Sequence, residues 1–205
     1  MDWRLKAENV SQYFNHRKIF ENVSFSVQSG KSVVLTGHNG SGKTTMMRIL
    51  AGLLRPSAGK VELSHNGEKL DGEARYQAIG LVGPYLQLYN QLTAWENYEF
   101  FSKVRGLKAD KQQFRQLMAR VGLKGRELDE LQTYSSGMLQ RAKYVMALIH
   151  QPPVLLLDEP TSNLDEEGAQ VVYEIMREQK ERGILILATN EPGEIKFGDT
   201  EIRIA

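Results

Sequence analysis

The chain has 205 residues, of which 41% are hydrophobic and 25% charged, and its formal net charge is +1. This length suits one sizeable core but is short for two independent domains, and the composition is that of a globular protein. Lys and Arg are spread along the sequence, so we expect no nucleic-acid partner. The chain has no cysteine, which excludes disulfides and thiolate metal sites.

The N-terminal residues 1–6 carry charges where a secretory signal needs an apolar core, so we predict no targeting segment. No stretch approaches the ~18 consecutive apolar residues that a membrane-spanning helix needs. We therefore expect a cytoplasmic chain that can serve a membrane only through a partner.

The first elements in chain order are strands. Alternating segments at residues 4–10 and 23–27 predict an exposed antiparallel β-layer, and the apolar run at residues 32–36 predicts a buried strand. A glycine-rich loop follows, and then a helical stretch at residues 44–53. Strand, loop and helix therefore follow one another directly.

The loop matches the pattern G-x-x-x-x-G-K-[ST], which binds phosphate groups. Its residues are Gly37, His38, Asn39, Gly40, Ser41, Gly42, Lys43 and Thr44, with Thr45 next to them. The glycines let backbone N–H groups turn toward phosphate oxygens, Lys43 adds positive charge, and Thr44 would place its hydroxyl on Mg²⁺. An incidental glycine-rich turn is the alternative, but the context of strand and helix favours nucleotide binding.

After a strand at residues 79–82, the pattern becomes helical. Thr93 and Glu96 have capping-box spacing, apolar residues from Phe114 to Val121 follow helical periodicity, and Gly122 lies where a helix would stop. We predict an all-helical subdomain at residues 86–141, inserted between core segments 1–85 and 142–205.

An apolar strand at residues 154–157 runs into two carboxylates, Asp158 and Glu159, and Pro160 then ends the strand. Asp158 is suited to hold Mg²⁺, and Glu159 to orient and deprotonate an attacking water. Acidic residues also mark ordinary strand ends, but a magnesium-bound nucleotide needs such a partner. Strands at residues 184–188 and 201–204 complete the central sheet, which we expect to be mixed and covered on both faces.

Residues 134–141, Tyr-Ser-Ser-Gly-Met-Leu-Gln-Arg, resemble the signature motif of the ABC ATPase family. Residues 162–165 resemble the family's D-loop, which ends in Asp165, and Tyr13 occupies the position of the aromatic residue that stacks on adenine. The resemblance covers essentially the whole chain. It implies a single α/β domain of the P-loop NTPase class, ABC type, that hydrolyses ATP with Mg²⁺.

The resemblance also implies partners. In the family, the signature serves the ATP of the opposite subunit, so Ser135 and the N–H groups of Ser136 and Gly137 would bind phosphate across a homodimer or a paired ABC ATPase. A separate integral membrane permease would hold the chain at the inner face of the cell membrane. The alternative to nucleotide binding is that Ser135 only caps its helix and that Tyr13 is a packing residue.

Two positions depart from the family pattern. Asn190 stands where the family usually has a histidine that contacts the γ-phosphate. An amide donates only a neutral hydrogen bond, so Asn190 either substitutes for that histidine as a catalytic residue or makes hydrolysis slower. Pro84 stands where a glutamine usually reaches Mg²⁺. Either Gln87, three residues later, reaches the metal through a rearranged loop, or the metal lacks this ligand and coupling to the membrane partner is altered.

Other functional classes share these motifs. A soluble ABC ATPase acting on DNA, ribosomes or assembly clusters is one alternative, and a nucleotide-gated binding module with weak hydrolysis is another. A P-loop kinase has no use for the signature helix.

Aromatic residues between 85 and 101 are expected to be mostly core, with some near the groove that receives a helix of the membrane subunit. Among transporters, the short chain resembles the haem exporter ATPase subunit of cytochrome c maturation.

Overall fold

The computed structural model describes residues 2–205. Its strands are β1 (Trp3–Phe14), β2 (Arg17–Gln28), β3 (Lys31–Thr36), β4 (Ala58–His65), β5 (Glu68–Leu70), β6 (Ile79–Val82), β7 (Val154–Asp158), β8 (Ile184–Ala188) and β9 (Thr200–Arg203). Its helices are α1 (Lys43–Leu50), α2 (Gly72–Gln77), α3 (Ala94–Val104), α4 (Lys111–Arg120), α5 (Ser136–Ala147), α6 (Glu166–Arg182) and α7 (Pro192–Ile195). A short 3₁₀ turn, Leu131–Thr133, precedes α5.

The strands form two sheets. The central sheet has the order β6-β7-β8-β3-β9, and all its neighbouring strands are parallel. The second sheet, β2-β1-β4-β5, is antiparallel. The predicted fold class is confirmed, but the central sheet is parallel where we expected a mixed one. Long connections that contain helices separate the strands of the central sheet along the chain, whereas the β1–β2 and β4–β5 hairpins both belong to the second sheet.

The central sheet is covered on both faces, as predicted. Because side chains alternate along a strand, Leu155 and Leu157 of β7 pack into one core with α6 and the helical region. Leu156 between them packs into a second core with α1 and the antiparallel sheet. All three side chains are fully buried, which explains the uninterrupted apolar sequence of this strand.

The helical region has the predicted start and stop signals. Thr93 and Glu96 form a complete capping box at the start of α3, and Gly122 follows α4 with a φ of 68°. The boundary that we placed at residue 141 falls inside α5, because that helix continues to Ala147. The exact division into core and subdomain remains a prediction. Within residues 2–205, no helix is long and apolar enough to cross a membrane.

Candidate nucleotide-binding site

The strand order brings three predicted site segments to one edge of the central sheet. Strands β7, β8 and β3 are neighbours, and parallel strands end at the same edge. The backbone N–H of Glu159 donates to the carbonyl of Ala188 over 2.9 Å, and that of Thr189 donates to the carbonyl of Leu35 over 3.1 Å. The acidic pair, Asn190 and the phosphate loop therefore converge in space.

The phosphate loop joins β3 to α1, as predicted, and two of its glycines have no room for a side chain. Gly37 has a φ of 148°, and a Cβ atom there would lie 2.3 Å from the carbonyl oxygen of Ile204. Gly42 has a φ of 105°, and a Cβ atom there would lie 2.5 Å from Ile19 of β2. Glycine is therefore required both by the backbone conformation and by close packing.

Lys43 is the first residue of α1 and is only 7% exposed. Its ammonium group donates hydrogen bonds to the carbonyls of Gly37, over 2.7 Å, and His38, over 3.4 Å. The side chain thus returns over the loop that precedes it. This places a positive charge beside the N-terminus of α1, where both the charge and the helix dipole favour phosphate.

Asp158 is the last residue of β7 and is 1% exposed. Burial raises the pKa of its carboxyl, while a hydrogen bond from Thr44 and the charge of Lys43 act in the opposite direction. Helix α1, which begins with Lys43 and Thr44, packs against β7, so Asp158 lies beside the end of the phosphate loop. A divalent cation would favour the ionised carboxylate in the same way as Lys43 does.

Glu159 is exposed, whereas the neighbouring Asp158 is buried. The φ of Glu159, 50°, is in the left-handed region, so the chain turns sharply after β7. The exposed side chain lines a cavity of about 440 Å³ together with Asn39, Thr189 and Asn190. A carboxylate in this position can reach a water in the cavity, whereas Asp158 remains buried beside the loop.

The side chains around Asp158 fit Mg²⁺. One carboxylate oxygen of Asp158, Oδ2, is buried and has no hydrogen-bond partner within residues 2–205, and the same is true of Ser41 Oγ. Mg²⁺ prefers oxygen ligands, and proteins often hold it through one carboxylate together with substrate phosphates. Asp158 and the hydroxyl of Thr44 are the groups that would hold it.

The structure does not bring Gln87, the third predicted metal ligand, to this site. Gln87 is exposed and lines a groove beside α5 with Ser136, Gln140 and Lys143. No hydrogen bond in the described chain joins it to Thr44 or Asp158. The reason is local: Tyr85, not Gln87, folds back from the end of β6 toward α1 and Asp158.

Asn190 lies beside the phosphate loop. Its side-chain oxygen accepts a hydrogen bond from the backbone N–H of Gly37 over 3.3 Å, and its amide nitrogen donates to Asn39 over 3.4 Å. The side chain is exposed to the cavity that contains Glu159. Asn190 can therefore position the loop through neutral hydrogen bonds, and its direct role in catalysis remains a prediction.

Tyr13 lies near the end of β1, where the chain turns into β2. Its hydroxyl donates to Glu21 over 2.6 Å, and this hydrogen bond raises the pKa of the phenol. The ring is 36% exposed. The same hairpin contacts Gly42 through Ile19, so Tyr13 is on the sheet that packs against the phosphate loop. This position is suited to stacking on adenine, which remains a prediction.

The signature residues have clear local roles in one chain. Ser135 caps α5 by accepting a hydrogen bond from Met138 N–H over 3.2 Å, and Asp165 caps α6 by accepting one from Gly168 N–H over 2.8 Å. Gly137 packs against the D-loop, since an added Cβ atom would lie 3.0 Å from the carbonyl of Asn163. The predicted contacts of Ser135, Ser136, Gly137 and Asp165 with a nucleotide remain predictions.

Three residues that contact the acidic turn were given no role there from the sequence, although Gln140 belongs to the signature motif. Gln140 and Tyr144 of α5 both donate to the carbonyl of Pro160, over 3.3 Å and 2.9 Å. Buried Glu194 accepts hydrogen bonds from the backbone and hydroxyl of Thr161. The helical spacing of Gln140 and Tyr144 was a usable signal, whereas nothing in the sequence indicated the partner of Glu194. These contacts connect the turn after Glu159 to α5 and α7.

Comparison with known proteins agrees with this geometry. Residues 20–162 match the ABC transporter family. The uncharacterized ABC transporter ATP-binding protein YdbJ of Bacillus subtilis (strain 168) is 34% identical over 86% of this chain, which spans 57% of the length of YdbJ. The cytochrome c biogenesis ATP-binding export protein CcmA of Mannheimia succiniciproducens is 32% identical over 91% of this chain and 87% of its own length.

A solved structure shows the same architecture. The ATP-binding cassette MJ0796, in a dimeric post-hydrolysis state bound to ADP and Pi, has a TM-score of 0.84 and 25% sequence identity. The match covers 98% of this chain and 94% of the cassette. The chain therefore belongs to the ABC transporter family, as an ATP-binding cassette of the ATPase type that uses ATP and Mg²⁺.

Proposed function

We propose that the chain is the ATP-hydrolysing motor subunit of an ABC transporter, and that two such subunits dimerise head to tail around two magnesium-bound ATP molecules. The convergence of Lys43 and Thr44 with Asp158 and Glu159 at one edge of the central sheet is the observation that carries this proposal. Lys43, Thr44 and Asp158 can bind the magnesium-bound triphosphate, and the exposed carboxylate of Glu159 lines the adjoining cavity.

In the proposed reaction, Glu159 accepts a proton from the water that attacks the terminal phosphate. Lys43 and the N–H groups of the phosphate loop stabilise the charge that develops on the phosphate oxygens. Mg²⁺, when bound, supplies further charge neutralisation at the triphosphate. Asn190 orients the loop but cannot supply the positive charge that a protonated histidine would, because its amide is neutral.

Replacing Glu159 with Gln removes the proton acceptor and keeps the shape of the side chain. We expect ATP turnover to fall by about 10²-fold or more while ATP affinity changes little. Steady-state phosphate release and equilibrium nucleotide binding measure the two quantities. Glu174→Gln, on the exposed surface of α6, is the control and should behave as the unmodified chain. An unmodified chain that turns over no faster than Glu159→Gln would instead indicate a binding module.

The start of α5 supports the dimer. Ser136 is exposed at the first turn of this helix, where backbone N–H groups lack partners within the helix. The residues of the phosphate loop lie elsewhere in the chain, at the end of β3. A second chain in the opposite orientation is therefore the proposed partner that brings Ser135, Ser136 and Gly137 to the nucleotide, and it is either an identical chain or a paired ABC ATPase.

Ser135→Ala tests this dimer in the background of Glu159→Gln, where ATP is not turned over. We expect the variant to lose ATP-dependent dimers, because the hydroxyl would no longer contact phosphate. Sedimentation velocity with Mg-ATP measures the fraction of dimer. Asp110→Ala is the control for the loss of a helix cap. It removes the cap of α4 and should keep the ATP-dependent dimer. Equal loss in both variants would argue against a role of Ser135 in the interface.

An exposed groove supports a membrane partner. Large apolar side chains that remain exposed, Leu53, Tyr76 and Val104, line a cavity of about 550 Å³ between α2 and α3. An apolar groove of this kind is suited to a short amphipathic helix. We propose that the helix belongs to a separate permease, which holds the chain at the inner face of the cell membrane. The likeness to CcmA supports export of haem or another small molecule.

Val104→Glu places a charge in this groove. We expect the ATPase activity of the isolated protein to stay within about twofold, since Val104 is 68% exposed and far in sequence from the phosphate loop. The fraction of the tagged chain that sediments with membranes of the cells that make it should fall. Leu128→Glu, at a residue that is 76% exposed in the helical region, is the matched control. Unchanged sedimentation of Val104→Glu would refute this groove as the docking site.

A further inference from the structure

The side chain of Tyr85 has a buried hydroxyl with no hydrogen-bond partner within residues 2–205. Tyr85 follows Gly83 and Pro84, where β6 has ended, and its ring lies against the backbone of Gly83. A Cβ atom at Gly83 would be 2.9 Å from the Cζ atom of Tyr85. A buried hydroxyl without a partner lowers stability, so its presence calls for a ligand or water that it can bind.

Two observations locate this hydroxyl beside the metal-binding groups. Strands β6 and β7 are parallel neighbours, and Val82 pairs with Leu157, so the next residues along each strand are Gly83 and Asp158. The guanidinium of Arg48 lies 5.9 Å from the centre of the Tyr85 ring. Arg48 is four residues after Thr44, and residues with this spacing share one face of a helix. Tyr85 therefore lies on the side of α1 that carries Thr44.

Asp158 is the natural partner of this hydroxyl. Its Oδ2 atom is also buried without a hydrogen-bond partner, so two unpaired oxygens lie in the same region. Burial raises the pKa of the Tyr85 phenol well above its usual value, the charge of Asp158 raises it further, and Arg48 lowers it. A phenol is protonated at neutral pH and can donate a hydrogen bond to a carboxylate.

We propose that Tyr85 is a positioning residue for the Mg²⁺ site, whose hydroxyl donates a hydrogen bond to the Asp158 carboxylate, directly or through one water. This hydrogen bond would orient the carboxylate, whose oxygens keep further lone pairs for the metal, as supporting hydrogen bonds do at other metal sites. The proposal rests on the proposed function, since it assumes that Asp158 serves a magnesium-bound nucleotide. Pro84 has no polar side chain to offer the Mg²⁺ site, and the hydroxyl of Tyr85 would supply a polar group there instead.

Tyr85→Phe removes only the hydroxyl and tests the proposal in nucleotide-binding experiments. A fluorescent ATP analogue is titrated at a series of Mg²⁺ concentrations and in EDTA. We expect the Mg²⁺ concentration for half-maximal binding to rise about tenfold or more, as for the loss of a supporting group at a metal site. Binding in EDTA should stay within about twofold, because the hydroxyl acts through the metal ligand.

Tyr89→Phe is the control, because Tyr89 belongs to the same loop but is exposed, and it should match the unmodified chain. Circular dichroism melts of both variants check that the fold is kept. A Tyr85→Phe variant with an unchanged Mg²⁺ requirement would overturn the proposal. So would equal losses of binding with Mg²⁺ and in EDTA, which would indicate a packing role. An unmodified chain that binds no nucleotide would refute the proposed function itself, which is a separate result.

Discussion

The arrangement of the site depends on the parallel pairing of β7, β8 and β3. Each strand ends at the same edge of the central sheet, and each is followed by a segment with a different chemical role: the acidic pair, Asn190 and the phosphate loop. Backbone hydrogen bonds continue between neighbouring strands at their C-terminal ends and fix the positions of these three segments relative to one another. The geometry of the site is therefore a property of the sheet rather than of flexible loops.

Contacts around the acidic turn connect this edge to the rest of the domain. The carbonyl of Pro160 accepts hydrogen bonds from two side chains of α5, the helix whose start carries Ser135. Glu194 fixes Thr161 from the opposite side. A movement of α5 can therefore reach the turn after Glu159 through a short path of hydrogen bonds. Such a path is the physical basis on which binding across a dimer could influence the catalytic turn.

Much of the fold could be predicted from the sequence, because its signals are local. The apolar run before Asp158 predicted β7, the glycine pattern predicted the loop between β3 and α1, and Thr93 with Glu96 predicted the start of α3. The direction of strand pairing in the central sheet depends on long-range packing, and our expectation of a mixed sheet was wrong in that detail. The place of Gln87 could not be predicted either, since the sequence does not show which way a loop turns after Gly83 and Pro84.

The central claim is that the phosphate loop and Asp158 together bind a magnesium-bound triphosphate. Isothermal titration of ATP into the purified chain, once with Mg²⁺ and once with EDTA, tests it most directly. We expect saturable binding of one ATP per chain with Mg²⁺ and clearly weaker binding in EDTA. An absence of measurable ATP affinity in the presence of Mg²⁺ would contradict it.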